Sequence, residues 1–401
     1  MGGHRVGRRH GPRRRRGHGG GQSAACAAPA EAEVGREAGN DHQHGHEAKH
    51  REGARENSCA SGNSGTLDGY APNMAIRLEP QDEYMHELGP EPNFNESMYF
   101  NIYDPTSRVG GWFRLGNRAN EGQAEMTTCI YLPDGTVAFM YQRPKIDNND
   151  AFDAGGMKFE VIRPFEELRV SYEGKVVTLA NPLEMADPKK AFTENPYAEC
   201  TVALTYTGVS TMFGGEPDVS HEKPGEEFAK GHYEQLIAGT GTITVGDQSW
   251  EINGFGLRDH SWGPRYWQAP FYYRWLTANF GSNFGFMGSR IARRDSDGTR
   301  GGFVWDGTAL RLCDSFEIST TWSGEDSYHD TIQAVLRSGD QEWKVTGKVL
   351  SMIPLRNRRE GMVTRISEGM TEWTLDDGRV GYGLSEYLDQ IEDGRPVGID
   401  E

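Results

Sequence analysis

Short stretches of alternating apolar and polar residues, broken by glycine, aspartate or asparagine about every ten residues, dominate the sequence from Glu79 onward. This period of two is typical of strands that bury one face, and the regular turn residues are typical of antiparallel hairpins. In AEMTTCIYLPDGTVAFMYQRP, Asp134 and Gly135 supply such a turn, and Asp377 and Gly378 supply another near the carboxyl end. Because open sheet edges invite aggregation, the pattern predicts an all-β protein whose sheets close.

The number of strands predicts two consecutive antiparallel lipocalin-like β-barrels. Residues 214–231 are rich in glycine, proline and charge and lack periodicity, so they are predicted to link an N-terminal barrel at 79–213 to a C-terminal barrel at 232–395. Each predicted half begins with a glutamate near an aromatic residue, followed by a glycine-punctuated strand pair. This weak internal echo favours two related halves.

The first 73 residues differ in composition from the rest of the chain. They hold 11 Lys+Arg, 8 Asp+Glu and 7 of the 12 His, with almost no large apolar side chains. Such a segment cannot bury enough apolar surface to offset the entropy of ordering it, so we predict disorder, or an extension that arises from a start assigned upstream of Met74. The spacing of its histidines is too loose to predict a metal site.

Charge and cysteine content exclude several classes of function. The remaining 328 residues carry 31 basic and 51 acidic side chains, which disfavours nucleic acid as a partner of the folded part. The five cysteines form no CxxC pair, and no run of 18 apolar residues or signal peptide is present, so a cytoplasmic protein without disulfides, bound metal or transmembrane segment is expected. Gly281, Gly285 and Gly288 lack the strand-to-helix setting of a dinucleotide loop, and no cofactor is predicted.

The segment NGFGLRDHSWGPRYW concentrates the residues with catalytic chemistry. On a strand, Arg258 and His260 face one side, whereas Asp259 and Ser261 face the other. In the functional interpretation, Asp259 or His260 protonates a carbon–carbon double bond, and neighbouring aromatic rings stabilise the resulting cation; these rings belong to Trp262, Trp267, Tyr272 and Tyr273. In the structural interpretation, which the spacing alone favours, Asp259 forms a buried ion pair with Arg258 or Arg265.

Other acidic residues near aromatic rings are further candidates. Glu386 in GYGLSEYLDQ is a second candidate acid or base, although such a glutamate is more often a strand-end residue bonded to backbone. The same two interpretations apply to Glu96, Tyr99 and Tyr103, and to His232 and Glu234 in HYEQ.

Three segments together resemble a family of uncharacterised bacterial proteins related to the AttH-like and hydroxyneurosporene synthase (carotenoid hydratase) group. They are NESMYFNIYDPTSRVGGWF, GFGLRDHSWGPRYW and GYGLSEYLDQ, and the likeness spans about Glu79 to Ile391. The resemblance implies two lipocalin-like barrels, a D-H-x-W-G core motif and a large apolar substrate. It makes Asp259 and His260 the residues to test for proton transfer, whereas Arg258 and the arginine-aromatic run after Gly263 depart from the carotenoid hydratases.

Two functions follow as hypotheses. The first is a cofactor-independent hydratase, isomerase or cyclase for a terpenoid, steroid or other lipid-like molecule. Its predicted catalytic residues are Asp259, His260 and Glu386, and its predicted substrate-binding residues are Tyr99, Arg258, Trp262, Arg265, Tyr266, Trp267 and Tyr272. The second is a carrier that binds a hydrophobic small molecule without chemistry. Geometry separates them, because an enzyme needs a carboxyl group or imidazole that faces an enclosed cavity.

Overall fold

The computed structural model describes residues 76–217 and 228–399, so the predictions for residues 1–73 lie outside the described residues. The first sheet contains twelve antiparallel strands and the second contains ten. Helices are confined to connections: α1 spans Pro188–Glu194, and 3-10 turns span Pro80–Glu83, Ala119–Glu121 and Pro182–Ala186. The prediction of an all-β protein with two antiparallel barrel-like sheets is confirmed, and the structure makes the first a ring and the second a half-barrel.

The first sheet is a ring. Its strands are β1 (Ile76–Arg77), β2 (Phe94–Asp104), β3 (Val109–Arg118), β4 (Gln123–Tyr131), β5 (Val137–Gln142), β6 (Asp153–Ala154), β7 (Met157–Arg163), β8 (Glu167–Leu179), β9 (Tyr197–Gly208), β10 (Phe213–Pro217), β11 (Gly231–Val245) and β12 (Gln248–Pro264). Hydrogen bonding runs β2-β3-β4-β5-β8-β9-β11-β12 and returns to β2. Eight strands therefore close around one apolar core, as the predicted barrel requires.

The second sheet is a half-barrel. Its strands are β13 (Tyr272–Asn279), β14 (Gly285–Arg293), β15 (Ser296–Trp305), β16 (Leu310–Leu312), β17 (Ser315–Ser323), β18 (Tyr328–Ser338), β19 (Gln341–Arg359), β20 (Met362–Leu375), β21 (Val380–Glu392) and β22 (Arg395–Pro396). Its order is β16-β15-β14-β13-β21-β20-β19-β18-β17, with β22 paired to β21. The turns predicted at Asp134–Gly135 and Asp377–Gly378 connect β4 to β5 and β20 to β21.

The chain does not pass from the first sheet to the second at the predicted linker. Strands β11 and β12 follow residues 214–231 in sequence but pair with β9 and β2, which places them in the first ring. The chain passes to the second sheet through residues 265–271. Residues 218–227 of the predicted linker lie outside the described residues, and the strands on either side of them, β10 and β11, pair with each other.

A shared core lies between the outer wall of the ring and one face of the half-barrel. Tyr99, Trp112 and Tyr131 of the ring are buried in one cluster with Ile353, Met370 and Leu384 of the second sheet. The separate core inside the ring includes Met98, Phe100 and Ile102, which alternate with Tyr99 and Tyr103 along β2. Each strand of this wall thus presents one set of side chains to the ring interior and the other to the second sheet. No helix of the described residues is long and apolar enough to cross a membrane.

Candidate active site between the two sheets

Strand β12 carries the central motif, and its two faces lie in different environments. Arg258 lies opposite Phe100 and His260 lies opposite Met98, so both side chains share the face of the ring interior. Asp259 lies opposite Tyr99, which belongs to the core between the sheets. The strand register therefore places Asp259 on the face opposite Arg258 and His260, as predicted.

The interior face is held by a buried ion pair. The Arg258 guanidinium donates to both carboxylate oxygens of Glu83, at 2.6 and 2.9 Å, and to Gln235 Oε1 at 2.9 Å. Both charged side chains are fully buried. Burial acts to raise the pKa of Glu83, but Arg258 and the Tyr233 hydroxyl, which also donates to Glu83, outweigh it and hold the pKa below its usual value. Arg258 therefore forms its buried ion pair with Glu83, and not with Asp259 as in the structural interpretation of the sequence.

His260 belongs to the same interior network. Its Nε2 lies 2.7 Å from Glu96 Oε1, and its Nδ1 lies 3.2 Å from the Tyr233 hydroxyl. Burial acts to raise the pKa of Glu96, but hydrogen bonds from His260 and His86 lower it to about 2. The His86 ring stacks on Trp262 at 3.9 Å between centroids. The interior face of β12 is thus a hydrogen-bonded structural unit.

The outer face of β12 opens on a cavity of about 620 Å³, a volume in the range of small-molecule sites. Asp259 and its cross-strand neighbour Glu234 line it, together with His232 on β11. His232 Nε2 contacts Asp259 Oδ2 and lies 3.6 Å from Glu234 Oε1. Burial acts to raise the pKa of Asp259, but His232 outweighs it and lowers the pKa, so Asp259 is ionised at neutral pH.

Glu234 is held differently from its neighbour. Its side chain is 2% exposed, and Trp275 Nε1 donates to its Oε1 at 2.8 Å. Its Oε2 has no hydrogen-bond partner among the described residues. Burial raises the pKa of Glu234 to about 7, with a further increase from Asp259.

The half-barrel contributes the opposite wall of the cavity. Glu386 on β21 pairs in register with Trp275 on β13 and accepts a hydrogen bond from the Tyr273 hydroxyl. Burial, and then the negative charge of Asp259, raise the pKa of Glu386 to about 8. A protonated carboxyl group and an ionised one therefore face the same cavity at neutral pH.

Aromatic rings and arginines complete the lining. Tyr99 meets Trp275 edge to face, with centroids 5.5 Å apart. The guanidinium groups of Arg114 and Arg265 both contact the ring of Trp267, at 5.3 and 5.5 Å from its centroid. Arg265 is buried and donates to Ser261 Oγ at 2.8 Å, so it contacts β12 beside Asp259 without an ion pair to it. Burial, followed by repulsion from Arg114, lowers the pKa of Arg265 to about 10.

The structure separates the ten predicted site residues into two sets. Five line the cavity: Tyr99, Asp259, Arg265, Trp267 and Glu386. The other five do not line it: Arg258, His260, Trp262, Tyr266 and Tyr272. Tyr266 packs under Arg359, and Tyr272 packs against Arg274 and Arg290.

The predicted arginine partner of Asp259 is not found among the described residues, where its ion pair is with His232. Sequence reasoning noted His232 and Glu234 only as candidates, and it missed Arg114 and Glu368. Arg114 lies in β3, directly after the segment NESMYFNIYDPTSRVGGWF, and Glu368 lies in β20; strand pairing across the two sheets brings them to the site. A row of charged residues on the buried face of a strand is the signal that could have found them.

Two groups in the described residues have donor atoms placed closely enough for a metal ion. In His86, Glu96 and His260 the donor atoms bond to one another, so their arrangement is complete without an ion. His232, Glu234 and Asp259 line the cavity, where the imidazole already contacts the Asp259 carboxylate. The expectation of a site without a metal stays a prediction.

The ring, the half-barrel and the cavity between them define a protein with the AttH-like fold. A candidate AttH protein from Nitrosomonas europaea superposes with a TM-score of 0.51 at 15% identity, over 80% of this chain and 98% of that one. The chain belongs to the DUF7064 family, a domain of unknown function, whose model matches residues 79–391. The predicted family resemblance is confirmed.

Two further solved structures are similar over most of their length. Kievitone hydratase from Nectria haematococca matches 78% of this chain and 93% of its own at 10% identity and a TM-score of 0.49. CghA in complex with Sch210972 matches 75% of this chain and 89% of its own at 14% identity and a TM-score of 0.46. No curated protein matches the sequence.

Proposed function

We propose that the protein is an enzyme that transfers protons to and from an apolar small molecule in the cavity between its two sheets. The observation that carries this proposal is the pair of carboxyl groups on opposite walls: Glu386, whose pKa is raised to about 8, and Asp259, whose pKa is lowered by His232. Environments that push the pKa values of two neighbouring groups apart are the arrangement that acid–base catalysis needs.

In this mechanism Glu386, not Asp259 or His260, is the general acid. Its proton adds to one carbon of a double bond, and the electron pair of that bond forms the new C–H bond, which leaves a cation on the other carbon. Tyr99 and Trp275 present aromatic rings to the same cavity, and the ionised Asp259 supplies a negative charge, so both favour the cationic transition state.

The Asp259–His232 pair completes the reaction as the base. In a hydration, water adds its oxygen to the cation and releases a proton to Asp259; in an isomerisation, Asp259 removes a proton from a carbon next to the cation. The His232 side chain is 42% exposed, so it connects Asp259 to solvent and allows the protons to redistribute between turnovers. A terpenoid, steroid or other lipid-like molecule suits the aromatic lining and the volume.

Solvent isotope labelling tests this function and identifies the substrate at the same time. The purified full chain is incubated in ²H₂O with the apolar metabolite extract of its source, and products are analysed by mass spectrometry. We expect one metabolite to gain carbon-bound deuterium with the wild type and not with Glu386→Gln. Glu392→Gln is the matched control, because Glu392 lies on the same strand with its side chain in an exposed ion pair to Arg294.

The same experiment contains the result that would overturn the proposal. A carrier binds one apolar molecule and releases it without label. Unlabelled, co-purifying ligand in wild type and Glu386→Gln alike would therefore assign the protein to the carrier class.

A further inference from the structure

A second cavity of about 280 Å³ adjoins the first. The two cavities share lining residues at their junction: Tyr99, Arg114, Trp267 and Glu386. Glu386 therefore lines both spaces, and the two cavities meet at this residue.

The inner part of the second cavity is apolar. Trp112 and Phe139 from the ring face Leu355 and Ile366 from the half-barrel, and Met185 closes the space from the 3-10 turn at Pro182–Ala186. Such walls bind an apolar chain or ring system and offer it no directional hydrogen bonds. This part suits the body of the same lipid-like substrate.

Glu368 is the polar exception inside this cavity. It pairs in register with Glu386 on the neighbouring strand and is 3% exposed. Its Oε2 has no hydrogen-bond partner among residues 76–217 and 228–399. Burial raises the pKa of Glu368 to about 8, so at neutral pH the group is uncharged and can donate a hydrogen bond to a ligand oxygen without repelling an anion.

The outer part of the second cavity is cationic. Arg143, Arg356 and Arg358 line it; Arg143 donates to the Tyr141 hydroxyl at 2.7 Å and lies 3.8 Å from Glu125, which lines the same cavity. Within the described part of the chain, Arg356 and Arg358 have no ion pair with a carboxylate. Burial, and then repulsion from Arg358, lower the pKa of Arg356. On a chain with a net charge of −17, Arg356 and Arg358 are two neighbouring cations at an otherwise largely apolar space.

We propose that the second cavity binds the anionic head of an amphiphilic substrate, with Arg356 and Arg358 as the principal ligands of a carboxylate or phosphate group. The apolar body then runs inward past Glu386 and places a double bond in the larger cavity. This inference rests on the proposed function, because it names the class of molecule on which Glu386 acts. Guanidinium groups bind both kinds of oxyanion through paired hydrogen bonds, so the head chemistry is shared.

Titration calorimetry with three ligands of equal chain length tests the proposal: dodecanoate, dodecyl phosphate and dodecanol. The full chain should bind at least one of the two anions about tenfold more tightly than the alcohol, and this preference should fall as salt is raised. The anion with the larger preference identifies the head group. Equal affinity for the alcohol and both anions would overturn the proposal.

Variants assign the preference to the rim. Arg356→Met and the double variant Arg356→Met/Arg358→Met should lose the preference for the anion and keep the affinity for dodecanol, which shows that the cavity is still folded. Arg300→Met is the matched control, because Arg300 is an exposed strand arginine that lines neither cavity. A preference that survives in the double variant would refute the assignment to these arginines.

Failure of this inference is distinguishable from failure of the proposed function. Glu386→Gln should reduce deuterium transfer by roughly 10³-fold, whereas Arg300→Met should change neither deuterium transfer nor the anion preference. A wild-type chain that prefers the anion but transfers no deuterium would retain the head-group site and reject the enzyme. A wild-type chain that transfers deuterium but does not prefer the anion would retain the enzyme and reject the head-group site.

Discussion

The two faces of β12 bear the same kinds of side chain but differ in how completely those side chains are paired. Toward the ring interior, Arg258 and His260 meet Glu83 and Glu96 in a fully buried hydrogen-bonded network. Toward the second sheet, Asp259 meets His232 at the wall of an open cavity. One strand thus uses its inward residues to hold the fold and its outward residues for chemistry, and a sequence motif does not reveal which residue has which role.

The largest expected effect comes from the interior face. Arg258→Met leaves Glu83 buried without its counter-charge, so the free energy of unfolding should fall by about 3–5 kcal/mol. Urea unfolding followed by tryptophan fluorescence measures this change. The double variant Arg258→Met/Glu83→Leu should recover much of the loss, since it removes both charges; no recovery would show that Arg258 acts through other contacts.

A change on the cavity face should alter chemistry with little effect on stability. Glu386→Gln should reduce deuterium transfer by roughly 10³-fold, because the amide cannot deliver a proton, while the urea midpoint stays at or above that of the wild type. In the wild type the rate should decline as the pH rises through about 8, where Glu386 loses its proton. A flat rate between pH 6 and 9 would argue against Glu386 as the acid.

The dependence of the unfolding free energy on acid pH tests the role of Glu96 on the interior face. The pKa of Glu96 is lowered from 4.5 to about 2, so its ionised form stabilises the fold fully above pH 4.5, and this stabilisation is lost as the pH falls toward 2. The difference in unfolding free energy between wild type and Glu96→Gln should be about 3 kcal/mol at pH 7 and should shrink below pH 4.5. A difference independent of pH would contradict the assigned charge.

A further effect has the opposite dependence on pH and comes from Glu368, the buried acid of the second cavity. The raised pKa of Glu368 favours folding at pH values below 4.5, and this contribution is lost as the pH rises to about 8. The wild type should therefore lose up to about 1.4 kcal/mol per pH unit across that window relative to Glu368→Gln. Unfolding curves at pH 5, 6, 7 and 8 measure it, with Glu392→Gln as the exposed control.

The parts of the structure that depend on local pattern were predictable from the sequence. Alternation and turn residues gave the strands and the hairpins at Asp134–Gly135 and Asp377–Gly378, and strand geometry placed Asp259 on the face opposite Arg258 and His260. These features depend on neighbours in sequence, for which period and turn chemistry are direct signals.

The parts that depend on long-range pairing were not predictable. Ring closure joins β2 to β12, which puts β11 and β12 in the first sheet and moves the change of sheet to residues 265–271. The partners Glu83 and Glu386 lie far from the motif in sequence, so local spacing could not show that Arg258 pairs with the first or that Asp259 faces the second across a cavity.

The most direct test of the separation between the faces is the rate of deuterium transfer by folded Asp259→Asn at pH 7, with folded Glu96→Gln measured beside it. The account predicts a loss of at least about 100-fold for Asp259→Asn, and a rate close to that of the wild type for Glu96→Gln despite its lower stability. Transfer that persists in Asp259→Asn, or is abolished in folded Glu96→Gln, would contradict it.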